Sequence, residues 1–383
     1  MTRLKIVLLC ISVFILRWMT LPSPLPANWA NESVIRYTAT ILDKPEYTDS
    51  KTIVRKGIWY IRIKGYKEII PGSRVIFEGE VEPKWVLGKV VQIKMVEPKI
   101  TGTKYLRSRG AFHPQAIMIA LGNLREKWVA TLQKTLPEPM ASLAAGILLG
   151  IKGQMPQDFY QALVNTGTLH IVAASGYNVS IVAEVLMKMT GGLVSRAVGI
   201  WVGVIGIGLY VVIAGGSASV VRAGIMGSLT LVAYYFGRPS EARRLLWVTA
   251  FLMLTYNPLY IVDVGFQLSF VATAGLLDLE PWIVGLHSRS VGALHSGSVW
   301  EPVGKFLSDY LYPTLAATVA TLPIIWWHFG RVSLISPFVN ILVLPFVPLM
   351  MGMTVATLFG GQVVAWMTYP ILAYMVWMIR LWG

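Results

Sequence analysis

The stretch TGTLHIVAASGYNVSIVAEVL, residues 166–186, is apolar enough to cross a bilayer, yet it carries polar and charged side chains. They include Thr166, Thr168, His170, Ser175, Asn178 and Glu184. Because a polar group in hydrocarbon costs free energy unless it is satisfied, a helix that faces only lipid would carry Leu or Val at most of these positions. On a helix, Ser175 and Asn178 share one face, and Gly176 with Ser180 forms a small-residue pair that lets another helix approach. The stretch predicts a transmembrane helix that either packs tightly in a bundle or lines a polar passage.

The composition of the whole chain agrees with a membrane location. Of its 383 residues, 55% are hydrophobic and 14% are charged, which is typical of a polytopic membrane protein. The single Cys10 lies in an apolar N-terminal run, so the sequence predicts no disulfide framework and no cysteine-based metal site. A formal net charge of +14 indicates basic, water-facing surface that meets acidic lipid or a polyanionic substrate.

Residues 1–27 predict a retained transmembrane anchor with a cytoplasmic N-terminus. Arg3 and Lys5 precede the apolar run, Arg17 follows it, and no small-x-small cleavage site comes before the Pro-rich segment. The alternative is a cleaved signal peptide.

Residues 28–112 change character and predict a small extracellular β-barrel of the OB type. Five short runs alternate apolar and polar residues between Gly and Pro turn signals. Residues 28–109 hold 16 Lys or Arg against 9 Asp or Glu, and OB barrels often bind single-stranded nucleic acid through basic grooves and stacking aromatic rings. The candidate DNA contacts are Trp59, Arg62, Lys64, Tyr66, Trp85 and Lys89. The alternative is that the basic side chains serve only solubility and edge protection.

Residues 113–166 predict amphipathic helices in the membrane interface. Arg125, Lys127 and Lys134 lie close to Trp128 in a helical pattern, which favours a helix lying along the surface. The run MASLAAGILLG is too short to span a bilayer, and MPQDFYQALVNTG predicts another surface helix that ends near Gly167.

Residues 167–383 predict a transmembrane domain with the C-terminus outside. The loop around Arg238, Arg243 and Arg244 is expected to be cytoplasmic under the positive-inside rule. Three prolines at 337, 345 and 348 predict a broken or re-entrant helix, which membrane proteins tolerate where backbone lines a cavity or packs on protein. The predicted spans are residues 168–188, 194–214, 218–236, 244–261, 262–279, 308–328, 332–359 and 363–381.

Several polar residues in these spans are predicted to line or gate a passage. In the predicted topology four ionisable residues lie at one depth, and Asp263 and Gln267 share a helical face. The full set is His170, Ser175, Asn178, Arg222, Asp263, Gln267 and His328. Because an intramembrane charge usually has a partner, we expect an Arg222–Asp263 ion pair. The alternatives are that Arg222 reaches towards lipid headgroups and that Asp263 caps a helix.

The same residues do not predict an enzyme. His170, Asp263 and His328 match no metal-ligand motif, so no metal is expected. Ser175 and His170 would point about 140° apart on one helix, which disfavours a nucleophile–base pair. No phosphate-binding loop is present in the sequence, and no cofactor or catalytic residue is predicted.

Four segments together closely resemble the competence domain of the ComEC family, whose members are membrane channels that import single-stranded DNA during natural transformation. They are TGTLHIVAASGYNV, GGSASVVRAGIM, NPLYIVDVGFQLSFVATAGLL and TLPIIWWHFGRVSLISPFVNILVLPFVP. The resemblance covers residues 139–348, and the preceding β-domain with its LRSRG linker resembles the family's extracellular OB-type domain. Where the family usually has LHV, this chain has Tyr177-Asn178-Val179, and Ser217 to Arg222 replace the usual SPSVVR without loss of polar character.

The resemblance implies a DNA channel in the cell membrane that works with single-stranded DNA, membrane lipid, a DNA receptor and a cytoplasmic helicase or ATPase. Many members continue into a metallo-β-lactamase-like domain with a His-x-His-x-Asp-His motif, which this sequence lacks. We therefore expect no nuclease in this chain; either the chain was cut from a longer one, or the nuclease is a separate protein or absent. The oligomeric state is left open. The competing functions are a secondary transporter for a small solute and, more weakly, an intramembrane hydrolase.

Overall fold

The computed structural model describes two compact units, Met1–Trp128 and Val129–Gly383. The described residues are 12–20, 35–41, 46–48, 51–56, 59–64, 73–86, 89–105, 114–151, 155–172, 176–190, 195–237, 241–291, 301–330, 332–333 and 335–383. Ser175 and Tyr66, both predicted site residues, lie outside these ranges, as does most of the predicted N-terminal anchor. Within the anchor, residues 12–19 are helical (α1).

The first unit contains a six-stranded sheet. Its strands are β1 Ile35–Ile41, β2 Glu46–Thr48, β3 Lys51–Lys56, β4 Trp59–Lys64, β5 Ser73–Val86 and β6 Lys89–Tyr105. The spatial order is β1-β5-β6-β4-β3-β2, in which β4 and β6 run parallel and every other neighbouring pair is antiparallel. The five predicted strands are present, and β2 is an additional short one. The edge strands β1 and β2 are consecutive in the sequence.

The buried side of this sheet follows the two-residue period of its strands. Ile61 and Ile63 alternate along β4, Val75 and Phe77 along β5, and Ile93 and Met95 along β6. All six side chains are buried. The sheet therefore has an apolar core of its own, built by the alternation that is visible in the sequence.

The second unit opens with helices that are not among the described segments long and apolar enough to cross a membrane. They are α2 Pro114–Thr135, which crosses the boundary between the units, α3 Met140–Leu149, α4 Gln157–Asn165, α5 Leu169–Val172 and α6 Gly176–Thr190. Helix α4 ends where predicted, because Gly167 adopts a left-handed φ of 69° and the Thr168 N–H donates to the Leu163 carbonyl.

The prediction of one helix across residues 168–188 is wrong. His170 lies on the four-residue α5, and α6 begins anew at Gly176 with 15 residues, fewer than the roughly 20 that a bilayer needs. The left-handed turn at Gly167 ends α4, and the following apolar residues Ile171 and Val172 are buried within the protein.

The middle of the chain forms further helices near the predicted positions. They are α7 Arg196–Ile213, α8 Ala218–Tyr235, α9 Ala242–Tyr256, α10 Val264–Val291 and α11 Glu301–Phe329, with a 3₁₀ helix at Pro258–Val262. Within the described residues, four segments are long and apolar enough to cross a membrane: Arg196–Ile213, Ala218–Tyr235, Val264–Gly285 and Ser336–Trp382. This architecture is consistent with a polytopic membrane protein.

The C-terminal region is broken, as its prolines predict. Helix α12 Ser336–Val343 is followed by a 3₁₀ helix at Leu344–Phe346 and then by α13 Val347–Trp382. Inside α13, Gly361 has φ 59° and ψ −141°, which is not helical. The Thr357 and Thr368 hydroxyl oxygens are 2.9 Å apart, although a straight helix would separate them by about 16 Å. The two halves of α13 therefore fold back on each other as a helical hairpin at Gly361.

The core of this unit surrounds α3. Residues 141–149 of α3 are all buried, and α3 packs against α13. A helix of 10 residues cannot span a bilayer, so its apolar character serves the protein interior.

Candidate functional site

Arg222 is a buried charge where α6, α8 and α10 meet. It lies in the first two turns of α8, and only 9% of the residue is exposed. Its Nη1 donates a 2.6 Å hydrogen bond to the Ser269 carbonyl of α10, and its guanidinium carbon is 5.9 Å from the centre of the Phe270 ring. The small residues Ala223 and Gly224 follow the arginine in α8.

Gly176, the first residue of α6, makes room for this guanidinium. A Cβ atom at position 176 would lie 2.9 Å from Arg222 Nη2 and 3.4 Å from the Ala223 Cβ. The predicted close approach of another helix to Gly176 is confirmed, and the approaching helix is α8.

The predicted Arg222–Asp263 ion pair is wrong. Asp263 Oδ1 instead accepts a 2.7 Å hydrogen bond from the Phe266 N–H in the first turn of α10. The first N–H groups of a helix have no acceptor within it, so this carboxylate is committed to capping, which was the alternative interpretation. Among the described residues, Arg222 has no carboxylate within ion-pair distance, and its buried Nε has no hydrogen-bond partner.

Gln267 lies, like Asp263, at the junction between the 3₁₀ helix Pro258–Val262 and α10, which we call the α10 corner. Its Nε2 donates a 2.7 Å hydrogen bond to the Ile261 carbonyl at the end of the preceding 3₁₀ helix. The two residues thus secure the start of α10 together, and the structure leaves the Asp263 side of this corner exposed.

Asn178 has a different environment from the one predicted for a pore-lining residue. Its residue surface is 1% exposed, and its Nδ2 donates a 2.7 Å hydrogen bond to the Ile147 carbonyl of α3. The Tyr210 hydroxyl of α7 donates to the neighbouring Leu148 carbonyl at 3.2 Å. The last carbonyls of a helix lack partners within it, so both side chains satisfy the buried end of α3.

The two histidines of the predicted set are exposed and make local contacts. His170 Nδ1 is 2.9 Å from the Gly167 carbonyl oxygen, and His328 Nδ1 is 3.1 Å from the Ile324 carbonyl oxygen. In each case the nitrogen donates when it carries the proton. Within the described part of the chain, neither histidine joins a group of three residues that could hold a metal ion.

A second buried polar group was missed by the sequence analysis. The Ser336 hydroxyl and the Ser333 side chain lie against the turn at Gly167, where a Cβ would be 2.9 Å from the Ser336 Oγ. Asn340 is 3% exposed and donates to Ser336 Oγ at 3.4 Å, while its Oδ1 and the Ser333 Oγ have no partner among the described residues. The available signal was the proline-broken segment SPFVN, because interrupted helices in membranes often accompany polar sites.

In the first unit, the backbone register brings some of the predicted DNA contacts to one end of the sheet. Trp59 pairs with Ile93, Trp85 with Val90, and Lys89 opens β6 opposite Val86. Arg62 and Lys64 lie further along β4 and pair with Ile53 and Lys51 of β3. Trp59, Trp85 and Lys89 therefore lie within a few rows of one another on adjacent strands.

Comparison with known proteins gives the family of this chain. ComE operon protein 3 of Bacillus subtilis (strain 168) is 24% identical over 234 residues, which are 61% of this chain and 28% of that protein. Uncharacterized protein YcaI of Escherichia coli (strain K12) is 22% identical over 371 residues, which are 87% of this chain and 46% of that protein. The chain thus spans about a quarter to a half of the length of these curated relatives. No solved structure matches. The sequence profile of the family described as Competence protein matches residues 147–382, more than half of the chain, and the chain therefore belongs to the competence protein family.

Proposed function

We propose that this chain is the membrane part of a channel that brings single-stranded DNA into the cytoplasm during natural transformation. The observation that carries the proposal is the family match over residues 147–382, which includes the four described segments that are long and apolar enough to cross a membrane. In this function the chain binds and conducts the strand and catalyses no reaction.

Polar side chains within the apolar helices support a conducting role. A passage for a DNA strand needs cationic or polar walls for phosphate and flat surfaces for bases. Arg222 supplies a buried positive charge beside the Phe270 ring, and Asp263 and Gln267 supply polar groups at the start of α10. We assign the passage to this region, with Ser175, His170 and His328 as further contributors and Asn178 as a residue that holds α3 in place.

The first unit is proposed to collect DNA outside the membrane. Its two edge strands, β1 and β2, are consecutive in the sequence, which favours closure of the sheet into a barrel of the OB type. Residues 28–109 carry a surplus of basic residues, with 16 Lys or Arg against 9 Asp or Glu, which favours a polyanionic ligand. Trp59 and Trp85 would stack on bases, and Arg62, Lys64 and Lys89 would contact phosphates.

A salt series tests this outer role. Binding of residues 28–110 to single-stranded DNA should weaken as salt rises, with a logarithmic slope of about −0.7 for each phosphate contact. Replacing Lys89 by Gln should make the slope shallower by roughly that amount, whereas Glu82→Gln should not. Affinity that is independent of salt would contradict the assignment of the basic residues.

The remaining features of the proposal concern topology and partners. We place the anchor of residues 1–27 with its N-terminus in the cytoplasm, residues 28–112 outside, residues 113–166 along the interface and residues 167–383 in the membrane with an external C-terminus. A cytoplasmic helicase or ATPase would pull the strand, a DNA receptor would deliver it, and a separate nuclease would degrade its complement. These partners are inferred from the family.

Reconstitution tests the channel directly. Liposomes containing the full chain, with labelled single strands outside, should accumulate label that is protected from added nuclease, while liposomes without protein should not. Asp263→Ala should reduce the accumulation, and Lys188→Gln, a change in an exposed surface ion pair, should not. Accumulation equal to that of protein-free liposomes would contradict the proposal.

A second function, transport of a small solute, is favoured by one observation. Asn340 Oδ1 and Ser333 Oγ, which have no hydrogen-bond partner among the described residues, are buried beside a broken helix, and secondary transporters bind small polar solutes at such helices. In cells, loss of transformation with unchanged growth on small solutes after Gln267→Ala would favour the channel. The reverse pattern after Asn340→Leu would favour the transporter.

A further inference from the structure

We propose that the Arg222 guanidinium and the first turn of α6 form a binding site for one phosphate-type oxyanion, which the channel uses to hold a phosphodiester of the passing strand. The identity of the occupant rests on the proposed function. The site itself rests on the contacts of Arg222 and on the position of Gly176.

The charge of Arg222 is uncompensated among the described residues. Arg222 is 9% exposed, and within that part of the chain its Nε has no hydrogen-bond partner and no carboxylate lies within ion-pair distance. An arginine inside a membrane protein is costly unless it pairs, and such residues commonly mark the path of a substrate or ion. A buried guanidinium that has free donor capacity is therefore expected to receive an anion.

The position of α6 also favours an anion. This helix has 15 residues and begins at Gly176, the residue that touches the guanidinium. The first N–H groups of a helix have no acceptor within the helix, and the aligned peptide dipoles make this end positive. Both elements favour the same charge, so an anion placed there would meet the Gly176 and Tyr177 N–H groups and Arg222 together.

Glycine is required at the start of α6. With a Cβ at position 176 only 2.9 Å from Arg222 Nη2, any other residue would push the guanidinium away from the start of α6. Glycine thus allows the two anion-attracting elements to lie in direct contact.

The present partner of Arg222 is a carbonyl that has a second donor. The Ser269 carbonyl also accepts a 2.9 Å hydrogen bond from the Thr273 hydroxyl, so it keeps a partner if the arginine leaves. The bond from Arg222 to the Ser269 carbonyl has one charged partner, whereas a bond to a phosphate oxygen adds the attraction between two opposite charges. An arriving phosphate is therefore expected to replace the carbonyl as the acceptor, which also loosens the contact between α8 and α10.

A DNA strand is favoured over a lipid headgroup because of where the guanidinium lies. Its contacts are to Gly176, Ser269 and Phe270 on two other helices, and little of it reaches the surface. A headgroup would have to enter sideways between helices, whereas a strand that follows the passage would present its phosphates in turn.

The test uses the full chain in nanodiscs of zwitterionic lipid, with a fluorescent oligo-dT strand as the probe and inorganic phosphate as a competitor. Arg222→Gln is expected to weaken strand binding about tenfold and to abolish competition by phosphate. Gly176→Ala should weaken both without changing the charge, and Arg222→Lys should retain part of the affinity. Arg196→Gln, whose arginine donates to the Tyr234 carbonyl, is the matched control and should bind as the wild type does.

Three results would contradict the site. The first is unchanged strand binding and phosphate competition in both Arg222→Lys and Gly176→Ala. The second is a loss of strand binding in Arg196→Gln equal to that in Arg222→Gln, and the third is a dependence on Arg222 that appears only with phosphatidylglycerol in the nanodisc and never with the strand. Phosphate binding through Arg222 without strand import into liposomes would contradict the proposed function but would still support the anion site. Strand import with wild-type phosphate binding in Arg222→Lys and Gly176→Ala would do the opposite.

Discussion

Asn178 shows how a polar side chain inside an apolar helical region is used for structure. The last turn of α3 is buried, and its carbonyls at Ile147 and Leu148 have no partner within the helix. The Asn178 amide and the Tyr210 hydroxyl supply those partners from α6 and α7. A buried carbonyl without a hydrogen bond costs free energy, so this pair stabilises the meeting point of three helices.

Replacing Asn178 by Leu should destabilise the chain. The substitution preserves size but leaves the Ile147 carbonyl without its donor, which should cost about 1 kcal/mol or more. Thermal unfolding of the full chain in detergent measures the loss. The control is Ser180→Ala, which removes an exposed hydroxyl from the same helix and should change stability little. Unchanged stability combined with reduced DNA uptake would instead assign Asn178 to the passage.

Removing the charge of Asp263 should destabilise the chain less than removing the side-chain oxygen that accepts the hydrogen bond from the Phe266 N–H. Its Oδ1 caps α10 through the Phe266 N–H, and Asn caps a helix nearly as well as Asp does. We expect Asp263→Asn to retain most of the stability and Asp263→Ala to lose about 1 kcal/mol, measured by thermal unfolding. If both variants lost the same amount, the charge rather than the cap would be the property that matters.

At the level of elements, the hairpin in α13 depends on one backbone conformation. Gly361 combines φ 59° with ψ −141°, a region that residues with a Cβ avoid. The fold-back brings Thr357 and Thr368 together, and the Thr368 hydroxyl donates to the Val364 carbonyl at 3.0 Å. The hydroxyl pair satisfies polar groups at the interface of the two halves.

Gly361→Ala should therefore destabilise the fold by about 1–3 kcal/mol. Gly352→Ala is the matched control in the same helix, because nothing lies within 4 Å of its Cβ position and alanine is the better helix former. Unfolding of both variants under the same conditions gives the comparison. If Gly352→Ala were destabilised as much as Gly361→Ala, then α13 would be sensitive to any glycine-to-alanine change. The backbone conformation of Gly361 would not be the cause.

The sequence predicts helices and strands well where apolar residues recur with one clear period. It predicts them poorly where tertiary contacts determine where a helix ends. Helices α7, α8 and α10 follow from long apolar runs, and the alternating strands of the first unit follow from their two-residue period. The interrupted region around α12 follows from its prolines. In contrast, the division of residues 166–186 could not be predicted, because the left-handed Gly167 and the burial of α3 depend on packing with distant segments.

The candidate site shows the same limit. Sequence reasoning identifies Arg222 as an unusual buried charge, but its acceptor is a backbone carbonyl, which no side-chain pattern reveals. Charge complementarity suggested Asp263, whereas the cap at α10 uses that carboxylate. Hydrogen bonds from a side chain to the backbone of another helix cannot be predicted from the sequence, because they depend on how the helices pack.

At the scale of the membrane unit, exposed arginines lie at one end of the helices α7 to α10, and the buried Arg222 lies near the other end of α8. Arg196 at the start of α7 donates to the Tyr234 carbonyl at the end of α8, and Arg243 at the start of α9 pairs with Asp278 of α10. Arg222 lies near the opposite end of α8, about 18 Å from Tyr234 at 1.5 Å per residue. The arginine-rich end is expected to face the cytoplasm, so Arg222 would lie towards the outside.

Cysteine labelling tests this orientation. In a Cys10→Ser background, Ser217→Cys and Glu241→Cys place single thiols at the exposed residues that precede α8 and α9. A thiol reagent that does not cross membranes should label Ser217→Cys in intact cells and Glu241→Cys only after permeabilisation, because the arginines at 243 and 244 hold their end of α9 inside. The reversed pattern would place Arg222 at the cytoplasmic end, where it would meet a strand on exit. Labelling of both thiols in intact cells would mean that α8 does not cross the membrane, and a channel built around Arg222 would then be excluded.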